Sequence, residues 1–312
     1  MHTLLILSKH ADSYRRLIDA AGLPDLKMVT ATTSRELPDE TADCSIVLGE
    51  PSLVRQALPH LAGARWVQST WAGVEPLLDA SLRQDYVLTN ARGVFGGLMC
   101  EYVFGYLLAR ERRMFEKFAA QRLGRWDPTP PGTLRSKQIG LLGVGSIGVD
   151  LARMAKQFGM WVKGYTRSSE TCADVDVYFH GADREAFAAN LDYLVCVMPT
   201  TARTRHLVDA TFLAALPSRA VFVNPGRGTV VDELALADAL RTGRLAGAVL
   251  DVFQEEPLPP DHVFWRTPNL IITSHTAALS MPEDIAPVFI ENYRRWTAGE
   301  PLQHQVDFER AY

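Results

Sequence analysis

The run Gly143-Val144-Gly145-Ser146-Ile147-Gly148 constrains the fold of this 312-residue chain more than any other feature. Residues 138–142 before it are apolar enough to form a buried strand, and residues 149–158 after it show the apolar periodicity of a helix. A strand, a Gly-x-Gly-x-x-Gly turn and a helix, in this order, form the unit that binds the pyrophosphate of a dinucleotide. The sequence therefore predicts a dinucleotide-binding βα unit at this point.

The residues of this turn have separate physical roles in such a unit. Gly143 permits the tight turn, Gly145 lets the backbone approach the pyrophosphate without a Cβ, and Gly148 lets the helix pack close to the strand. Ser146 and Ile147 lie at the helix N-terminus, where backbone N–H groups and the helix dipole face the phosphates. We predict that all five residues bind the cofactor.

The next predicted strand, 161–165, ends in Thr166-Arg167-Ser168. An enzyme that uses NAD usually has Asp or Glu at this point, where it holds the ribose 2′-hydroxyl. An Arg between two hydroxyl side chains suits a 2′-phosphate instead, because a guanidinium group pairs well with phosphate oxygens. We therefore predict NADP(H) as the preferred cofactor, with NAD(H) as the alternative.

The rest of the chain also alternates strands with helices, which predicts parallel sheets covered by helices. In the first part we predict strands at 4–7, 45–48, 66–68 and 87–89 and helices at 14–21 and 51–57. In the second part we predict strands at 138–142, 161–165, 193–197, 220–223, 248–250 and 270–273, and a helix capped by Asp232 that ends near Gly243.

Three further segments complete this organisation. Residues 98–118 predict one long helix, which is apolar all round in its first half and is therefore expected to be buried between domains or subunits. Residues 127–132 are rich in proline and predict a linker. The last thirty residues contain a helix through 292–296 and no strand signal, so we expect them to return to the first domain.

These patterns predict an α/β fold with two Rossmann-like domains, each built on a parallel sheet. We expect a dinucleotide-binding domain, 99–279, to be inserted into a discontinuous substrate-binding domain made of residues 1–98 and 280–312. Each of the two domains is large enough to form its own hydrophobic core.

Composition excludes several classes of partner. The net charge of −4 and the pI of about 6.1 predict no binding of nucleic acid and no membrane partner. No apolar run approaches the roughly 20 residues of a membrane span, and the short apolar N-terminal run predicts a first strand rather than a signal peptide. The four cysteines have no zinc or CxxC spacing, so we expect no metal site and a cytoplasmic location. Cys44, Cys100 and Cys196 lie in apolar runs, so we expect these three thiols to be buried.

Three successive predicted strands of the second domain end in polar residues suited to one reaction. Arg227, Glu256 and His275 follow the strands at 220–223 and 248–250 and the strand that begins at 270, respectively. In an open parallel sheet the ligand lies beyond the carboxyl ends of the strands. Reduction of a 2-keto acid needs a cation for the carboxylate and keto oxygen, a His that donates a proton as hydride arrives, and a carboxylate that orients the His.

The chain resembles the D-isomer-specific 2-hydroxyacid dehydrogenases over essentially its full length. The matching motifs, whose order and spacing both fit, are residues 69–75, 101–105, 143–148, 196–200 with Thr204, 224–228, 251–253, 256–259 and 274–277. Thr166-Arg167-Ser168 is similar to the NADPH-preferring glyoxylate/hydroxypyruvate reductase branch of this family. A small 2-keto or 2-hydroxy acid is therefore the implied substrate.

The resemblance also implies site residues and assembly. It implies that Arg227, Glu256 and His275 are the catalytic trio, and that the segment Trp71, Ala72, Gly73 and Val74 binds the substrate carboxylate, mainly through backbone amides. Further cofactor contacts are implied for Met198, Pro199, Thr204, Asn224, Pro225, Gly226, Asp251 and Ala277. The family's architecture implies a homodimer supported by the helix predicted at 98–118.

Two positions depart from the family's pattern. Ser274 stands where Pro commonly precedes the catalytic His, which changes local rigidity more than chemistry. Trp71 is bulkier than the small residues that are frequent at its position, and it is expected to narrow the substrate pocket. For this reason the identity of the keto acid is not carried over from the family.

Other functions remain as alternatives. One is a non-catalytic dinucleotide-sensing protein of the same fold, against which the intact trio and the acidic pI count. Another is an enzyme of the family that prefers NAD. Among these, a phosphoglycerate dehydrogenase usually has an acidic residue where Arg167 stands, and a formate dehydrogenase generally has Gln where Glu256 stands.

Overall fold

The computed structural model describes residues 1–35 and 37–309, and the chain divides into two compact units. The first unit comprises Met1–Val94 and Ser280–Tyr312, and the second comprises Phe95–Leu279. Each unit contains one sheet, and every strand pair in both sheets is parallel. The predicted α/β class with two parallel sheets is confirmed.

The first unit has a five-stranded sheet in the order β2-β1-β3-β4-β5. Its strands are β1 (His2–Leu7), β2 (Leu26–Ala31), β3 (Ile46–Gly49), β4 (Trp66–Ser69) and β5 (Val87–Thr89), and its α-helices are α1 (Ala11–Ala20), α2 (Pro51–Ala57) and α9 (Pro282–Ala298). In α9, Phe289 stacks on Trp66 of β4 with ring centroids 5.2 Å apart, and Asn292 Nδ2 donates to Gln68 Oε1 over 3.0 Å. The end of the chain thus packs on the sheet formed by its beginning.

The second unit has a seven-stranded sheet in the order β12-β11-β10-β9-β6-β7-β8. Its strands are β6 (Gln138–Leu142), β7 (Trp161–Thr166), β8 (Val177–His180), β9 (Tyr193–Cys196), β10 (Val221–Asn224), β11 (Gly247–Leu250) and β12 (Leu270–Ile272). The strand order reverses between β6 and β9. Ligands of such sheets bind at this reversal, beyond the carboxyl ends of the strands.

Helices cover both faces of the second sheet. They are α3 (Gly96–Glu111), α4 (Met114–Arg122), α5 (Ser146–Gln157), α6 (Arg184–Ala188), α7 (Ala210–Ala215) and α8 (Glu233–Arg241). One core contains Leu194, Phe222 and the buried residues of α6, α7 and α8, and the other contains Val195, Val223 and those of α3 and α5. Adjacent residues of β9 and β10 point to opposite faces, so both faces are apolar and the strands have the continuous apolar character of a parallel sheet.

Most local predictions agree with the structure. All ten predicted strands are present, Asp232 accepts a hydrogen bond from the Ala235 N–H as the N-cap of α8, and residues 125–132 contain no helix or strand. Cys44, Cys100 and Cys196 are free and buried, as expected, and Cys172 is free and buried as well. Sequence analysis missed β2 and β8, which are the edge strands at one end of each sheet and carry few fully buried residues.

The prediction of one helix over residues 98–118 was wrong. Helix α3 ends at Glu111, and Arg113 adopts a left-handed conformation, with φ 54°, before α4 begins at Met114. This conformation costs on the order of 1 kcal/mol in a non-glycine residue. The linker offsets it, because the Gly132 N–H donates to Glu111 O over 2.8 Å and Asp127 lies 3.6 Å from the Arg113 guanidinium. Among the described residues, no helix is long and apolar enough to cross a membrane.

Candidate active site

The glycine turn joins β6 to α5 as predicted, and its conformation needs glycine at two positions. Gly143 has φ +98°, a backbone conformation that side chains rarely permit. A Cβ on Gly148 would lie 2.3 Å from the Gly143 carbonyl oxygen, so only glycine allows α5 to start this close to the turn. Gly145 is the N-cap of α5, and Ser146 and Ile147 begin the helix.

The surroundings of this helix N-terminus fit the phosphates of a dinucleotide. Among the described residues other than its two chain neighbours, no atom lies within 4 Å of the position that a Cβ would take on Gly145, so the backbone is open to a ligand there. The first turn of α5 contains no acidic residue, and Gly145 has no side chain that caps the helix. The free N–H groups and the positive end of the helix dipole therefore favour an anion at this point.

The end of β7 lies beside this turn, because the Gly143 N–H donates to Tyr165 O over 3.0 Å. Thr166 is buried as the last residue of β7, whereas Arg167 and Ser168 are exposed in the loop that follows. Thr166 Oγ1 donates to Ser169 O over 2.7 Å and so closes the loop on itself. The structure thus brings the three predicted ribose-side residues next to the glycine turn.

The residues after β9 and β10 also lie near the turn. A Cβ on Gly143 would lie 3.2 Å from Met198, and one on Gly226 would lie 2.7 Å from Cys196 O. Thr204 Oγ1 donates to Pro199 O over 2.7 Å. The predicted cofactor residues Met198, Pro199, Thr204, Asn224, Pro225 and Gly226 therefore belong to the same edge of the sheet.

Asn224 uses its side chain within its own turn. Its Oδ1 accepts the Gly226 N–H at 3.1 Å, and its Nδ2 donates to Arg227 O over 3.0 Å. Asn224 itself is fully buried at the end of β10. This side chain fixes the backbone from which Arg227 projects.

His275 and Glu256 form an ion pair at the same edge of the sheet. His275 Nδ1 lies 2.7 Å from Glu256 Oε2, and Glu256 Oε1 accepts the Phe253 N–H at 2.9 Å. The His275 side chain is 51% exposed and the Glu256 side chain 34%. Since Nδ1 is engaged by the carboxylate, Nε2 is the nitrogen that can exchange a proton with a ligand; within residues 1–35 and 37–309 it has no hydrogen-bond partner.

The charges in this group shift both pKa values towards an ion pair. The hydrogen bond that His275 donates to Glu256 raises the pKa of His275 above its ordinary value, against the opposing effects of partial burial and the positive charge of Arg227. Burial raises the pKa of the Glu256 carboxyl, but the hydrogen bonds from His275 and the Phe253 N–H, with the charges of His275 and Arg227, leave it lowered. Arg227 is thus electrostatically coupled to both partners, and the three predicted catalytic residues come together.

Asp251 shapes the loop that carries His275, a role that sequence analysis did not predict. Asp251 is 1% exposed; its Oδ1 accepts from Thr273 Oγ1 and the Thr276 N–H, and its Oδ2 accepts from the Ala277 N–H. The His275 N–H donates to Asp251 O over 2.8 Å.

These contacts hold His275 in a left-handed conformation, with φ +55°. Such a conformation costs on the order of 1–3 kcal/mol and persists only when the surrounding structure determines it. Because Asp251 engages the loop through both carboxylate oxygens and its backbone carbonyl, it aims the imidazole. The carboxylate and the Ala277 N–H, both predicted to contact the cofactor, are here engaged with each other.

The loop Trp71–Val74 belongs to the first unit and follows β4. Trp71 O accepts the Ala91 N–H at 3.1 Å, and Ala72 O accepts Asn90 Nδ2 at 2.9 Å. Both carbonyls are thereby engaged on the β5 side. The N–H groups of Ala72, Gly73 and Val74, by contrast, donate no hydrogen bond within the described part of the chain.

Three adjacent free N–H groups make this loop suitable for a carboxylate. Asn90, which sequence analysis missed, positions the loop from the end of β5; its only signal was an amide side chain directly after a predicted strand. Of the two departures from the family's pattern, the Trp71 side chain is 38% exposed, and Ser274 is also exposed.

Comparison with known proteins identifies the family of this chain. The family described as "D-isomer specific 2-hydroxyacid dehydrogenase, NAD binding domain" matches residues 104–277. A glyoxylate/hydroxypyruvate reductase A of Klebsiella pneumoniae subsp. pneumoniae is 32% identical over 217 residues, which cover 70% of each chain.

Solved structures extend the similarity to the whole chain. A D-isomer-specific 2-hydroxyacid dehydrogenase family protein of Aeromonas salmonicida is 42% identical, with a TM-score of 0.94 over 98% of this chain and 99% of the other. A family member of Xanthobacter autotrophicus, solved with NADPH and MES, is 32% identical, with a TM-score of 0.90 over 100% and 99%. These findings confirm the resemblance to the glyoxylate/hydroxypyruvate reductase branch, and the chain belongs to the D-isomer-specific 2-hydroxyacid dehydrogenase family.

Proposed function

We propose that this protein reduces a small 2-keto acid to the D-2-hydroxy acid, with NADPH as the preferred hydride donor and His275 as the general acid. The observation that carries the proposal is how His275 is hydrogen-bonded and in which direction its pKa is shifted. Its Nδ1 is held by Glu256, its Nε2 is available to a ligand, and its pKa is raised. A protonated imidazole held in this way can donate a proton to a keto oxygen, which contributes roughly 10²–10⁴-fold to a rate.

Arg227 and the loop Trp71–Val74 are the residues proposed to hold the substrate. Arg227 carries a planar guanidinium group that can form paired hydrogen bonds with a carboxylate and polarise a keto oxygen. The free N–H groups of Ala72, Gly73 and Val74 provide further donors for a carboxylate. The first unit is thus proposed to bind substrate and the second to bind the dinucleotide.

The dinucleotide is proposed to be held by the glycine turn and by the loop after β7. When bound, the reduced nicotinamide supplies the hydride for the reaction. The open backbone at Gly145 and the positive N-terminus of α5 suit its pyrophosphate. Arg167, exposed between Thr166 and Ser168, suits a 2′-phosphate, and the similar Xanthobacter autotrophicus protein was solved with NADPH.

The proposal is tested by the loss of absorbance at 340 nm with glyoxylate, hydroxypyruvate, pyruvate and phenylpyruvate, each with NADPH and with NADH. We expect fast oxidation of NADPH with at least one keto acid and slower oxidation of NADH. Comparable or faster rates with NADH would keep the reaction and overturn the cofactor preference. No oxidation with any pair, in a protein that binds NADPH tightly, would instead favour the dinucleotide-sensing alternative.

We also propose that the protein forms a homodimer through α4 and the segment that follows it. Helix α4 has no buried residue, and Phe118, Leu123 and Trp126 are 60%, 66% and 92% exposed. Several large apolar side chains exposed along one short segment are typical of a contact between subunits. Light scattering during size-exclusion chromatography is expected to give twice the monomer mass, and Phe118→Glu with Trp126→Glu is expected to give a monomer. A monomeric wild type would refute this assembly.

A further inference from the structure

A second histidine lies against the loop that is proposed to recognise the cofactor. His180 is the last residue of β8 and pairs in register with Thr166 of β7. Its Nδ1 lies 3.0 Å from Thr166 O and 3.1 Å from Thr166 Oγ1, and its Nε2 lies 2.7 Å from Glu170 Oε1. The ring also stacks on Tyr178, with an interplanar angle of 8°. The ring of His180 therefore joins the first and last residues of the segment 166–170.

The partners of His180 require a proton on both ring nitrogens. A backbone carbonyl and a carboxylate only accept hydrogen bonds, so Nδ1 must donate to Thr166 O and Nε2 must donate to Glu170. Thr166 Oγ1 already donates to Ser169 O, so it too can only accept from His180. The geometry fits an imidazolium ion and no neutral tautomer satisfies it.

The charges around the ring favour the same state. The hydrogen bonds that His180 donates to Glu170 and then to Thr166 O raise the pKa of His180, and Asp183, after β8, acts in the same direction. Thr166 is the only residue of β7 in contact with the imidazole nitrogens, and it is uncharged. The remaining charged side chain of the 166–170 segment is Arg167.

We propose that His180 is a positioning residue for cofactor recognition: by clamping Thr166 to Glu170 it fixes the loop that presents Arg167 and Ser168, and it thereby increases selectivity for NADPH over NADH. The inference rests on the proposed function, in which this loop receives the 2′-phosphate. Arg167 and Ser168 lie between the two clamped residues, so release of either end lets both side chains move. The loop should contribute less to the affinity for NADH, because the adenosine 2′-hydroxyl carries no charge for Arg167 to bind.

The contacts of His180 with Thr166 and Glu170, here called the clamp, predict how selectivity for NADPH changes with pH. His180 is protonated below its raised pKa, so the clamp is complete at low pH and loses one donor as the pH rises through that value. Selectivity for NADPH should therefore fall with rising pH. A phosphate monoester gains negative charge above about pH 6, which by itself would strengthen binding to Arg167, so the two effects have opposite signs.

The test measures the dissociation constants of NADPH and NADH by cofactor fluorescence from pH 6 to pH 9. The variant His180→Phe keeps a ring against Tyr178 and removes both donors, and His60→Gln, an exposed histidine of the first unit, is the matched control. At pH 6.5 we expect His180→Phe to bind NADPH about fivefold more weakly, which corresponds to the loss of one hydrogen bond, and NADH with little change. In this variant only the phosphate effect remains, so its selectivity for NADPH should not fall as the pH rises, whereas that of the wild type should.

A second variant and an NMR signal test the proposal even if His180→Phe does not fold. Glu170→Gln removes the anion and should lower the pH at which selectivity is lost. The imidazole resonance of His180 is the one that is absent from the spectrum of His180→Phe. In the free wild-type protein it should titrate above pH 6.5. It should shift more on addition of NADP⁺ than on addition of NAD⁺.

The outcomes separate this inference from the proposed function. A wild type that binds both cofactors equally at every pH would overturn the cofactor preference and the clamp together. A selective wild type whose selectivity is unchanged in His180→Phe and Glu170→Gln would overturn the clamp alone. Equal weakening of NADPH and NADH would assign His180 a purely structural role.

Discussion

Two histidine–glutamate pairs of the second unit have the same separation, 2.7 Å, and lie at the same edge of one sheet. A third pair, His262 and Glu233, is 3.2 Å apart. In the first, His275 engages Glu256 through Nδ1 and leaves Nε2 without a partner in the described part of the chain. In the second, His180 engages Thr166 through Nδ1 and Glu170 through Nε2. The comparison shows that the free nitrogen, and not the carboxylate partner, distinguishes a histidine that can transfer a proton from one that holds a loop.

The supports of the two pairs differ as well. The loop of His275 is anchored on the buried carboxylate of Asp251, whereas Glu170 is 60% exposed and its loop closes through Thr166 Oγ1 and His180. A buried network fixes a geometry because breaking it leaves unsatisfied polar groups, while exposed contacts exchange readily with water. Under the proposed function, the group that transfers the proton has the buried support and the loop that recognises the cofactor has the exposed one.

The largest effect is expected from removal of the free imidazole nitrogen. His275→Ala should lower kcat by roughly 10²–10⁴-fold, because the proton donor is lost, while the Kd of NADPH stays within about twofold. Steady-state kinetics and fluorescence titration measure the two quantities, with His60→Ala as the control. If His275→Ala retained its turnover, His275 would not be the proton donor, and the proposed difference between His275 and His180 would be wrong.

A smaller effect is expected from reversing the charge of Arg167, which lies in the loop that His180 and Glu170 hold. Arg167→Asp should raise the KM of NADPH by about 10–100-fold, since a charge-assisted hydrogen bond is lost and a repulsion is gained. The KM of NADH should change far less. Kinetics with both cofactors at one saturating keto acid concentration measure this, and equal effects on both would show that Arg167 does not contact the 2′-phosphate.

The buried support of His275 is tested by Asp251→Asn. The amide presents N–H groups where the loop also presents N–H groups, so the variant should lose about 1–3 kcal/mol of unfolding free energy, together with turnover. Urea denaturation and kcat measure the two effects. Tyr102→Phe, which removes only a 2.8 Å contact to Thr273, should lose less of both. A fully stable and active Asp251→Asn protein would contradict the role assigned to this carboxylate.

The mildest change concerns the pH profile of the reduction. Glu256 raises the pKa of His275, and the reduction needs the protonated imidazole, so activity should fall as the pH rises through that raised value. Glu256→Gln removes the anion and should therefore move this alkaline limb to lower pH. An unmoved limb in kcat/KM would mean that another group titrates. With NADPH saturating and the keto acid varied, the matched variant Glu170→Gln should leave the limb in place.

Much of the fold was predictable because its signals are local. The buried strands are continuous apolar runs, the glycine turn has a fixed spacing, and Asp232 precedes a helical pattern as a cap should. The edge strands β2 and β8 were missed because a strand covered on fewer sides has a weaker apolar pattern. The break between α3 and α4 was missed because its cause, the contact of Arg113 and Glu111 with the linker, depends on residues 14 to 21 positions away.

The sequence by itself determined the two parallel sheets, the glycine turn and the presence of Arg227, Glu256 and His275 at the ends of three strands. Parallel pairing then brings those ends to one edge, whatever the loops do. Only the tertiary structure decided the orientation of the groups: that Asp251 supports the His275 loop, that Asn90 positions the loop Trp71–Val74, and that His180 has no free nitrogen. The physical reason is that a side chain's partner depends on distances between segments far apart in the chain, which no local pattern encodes.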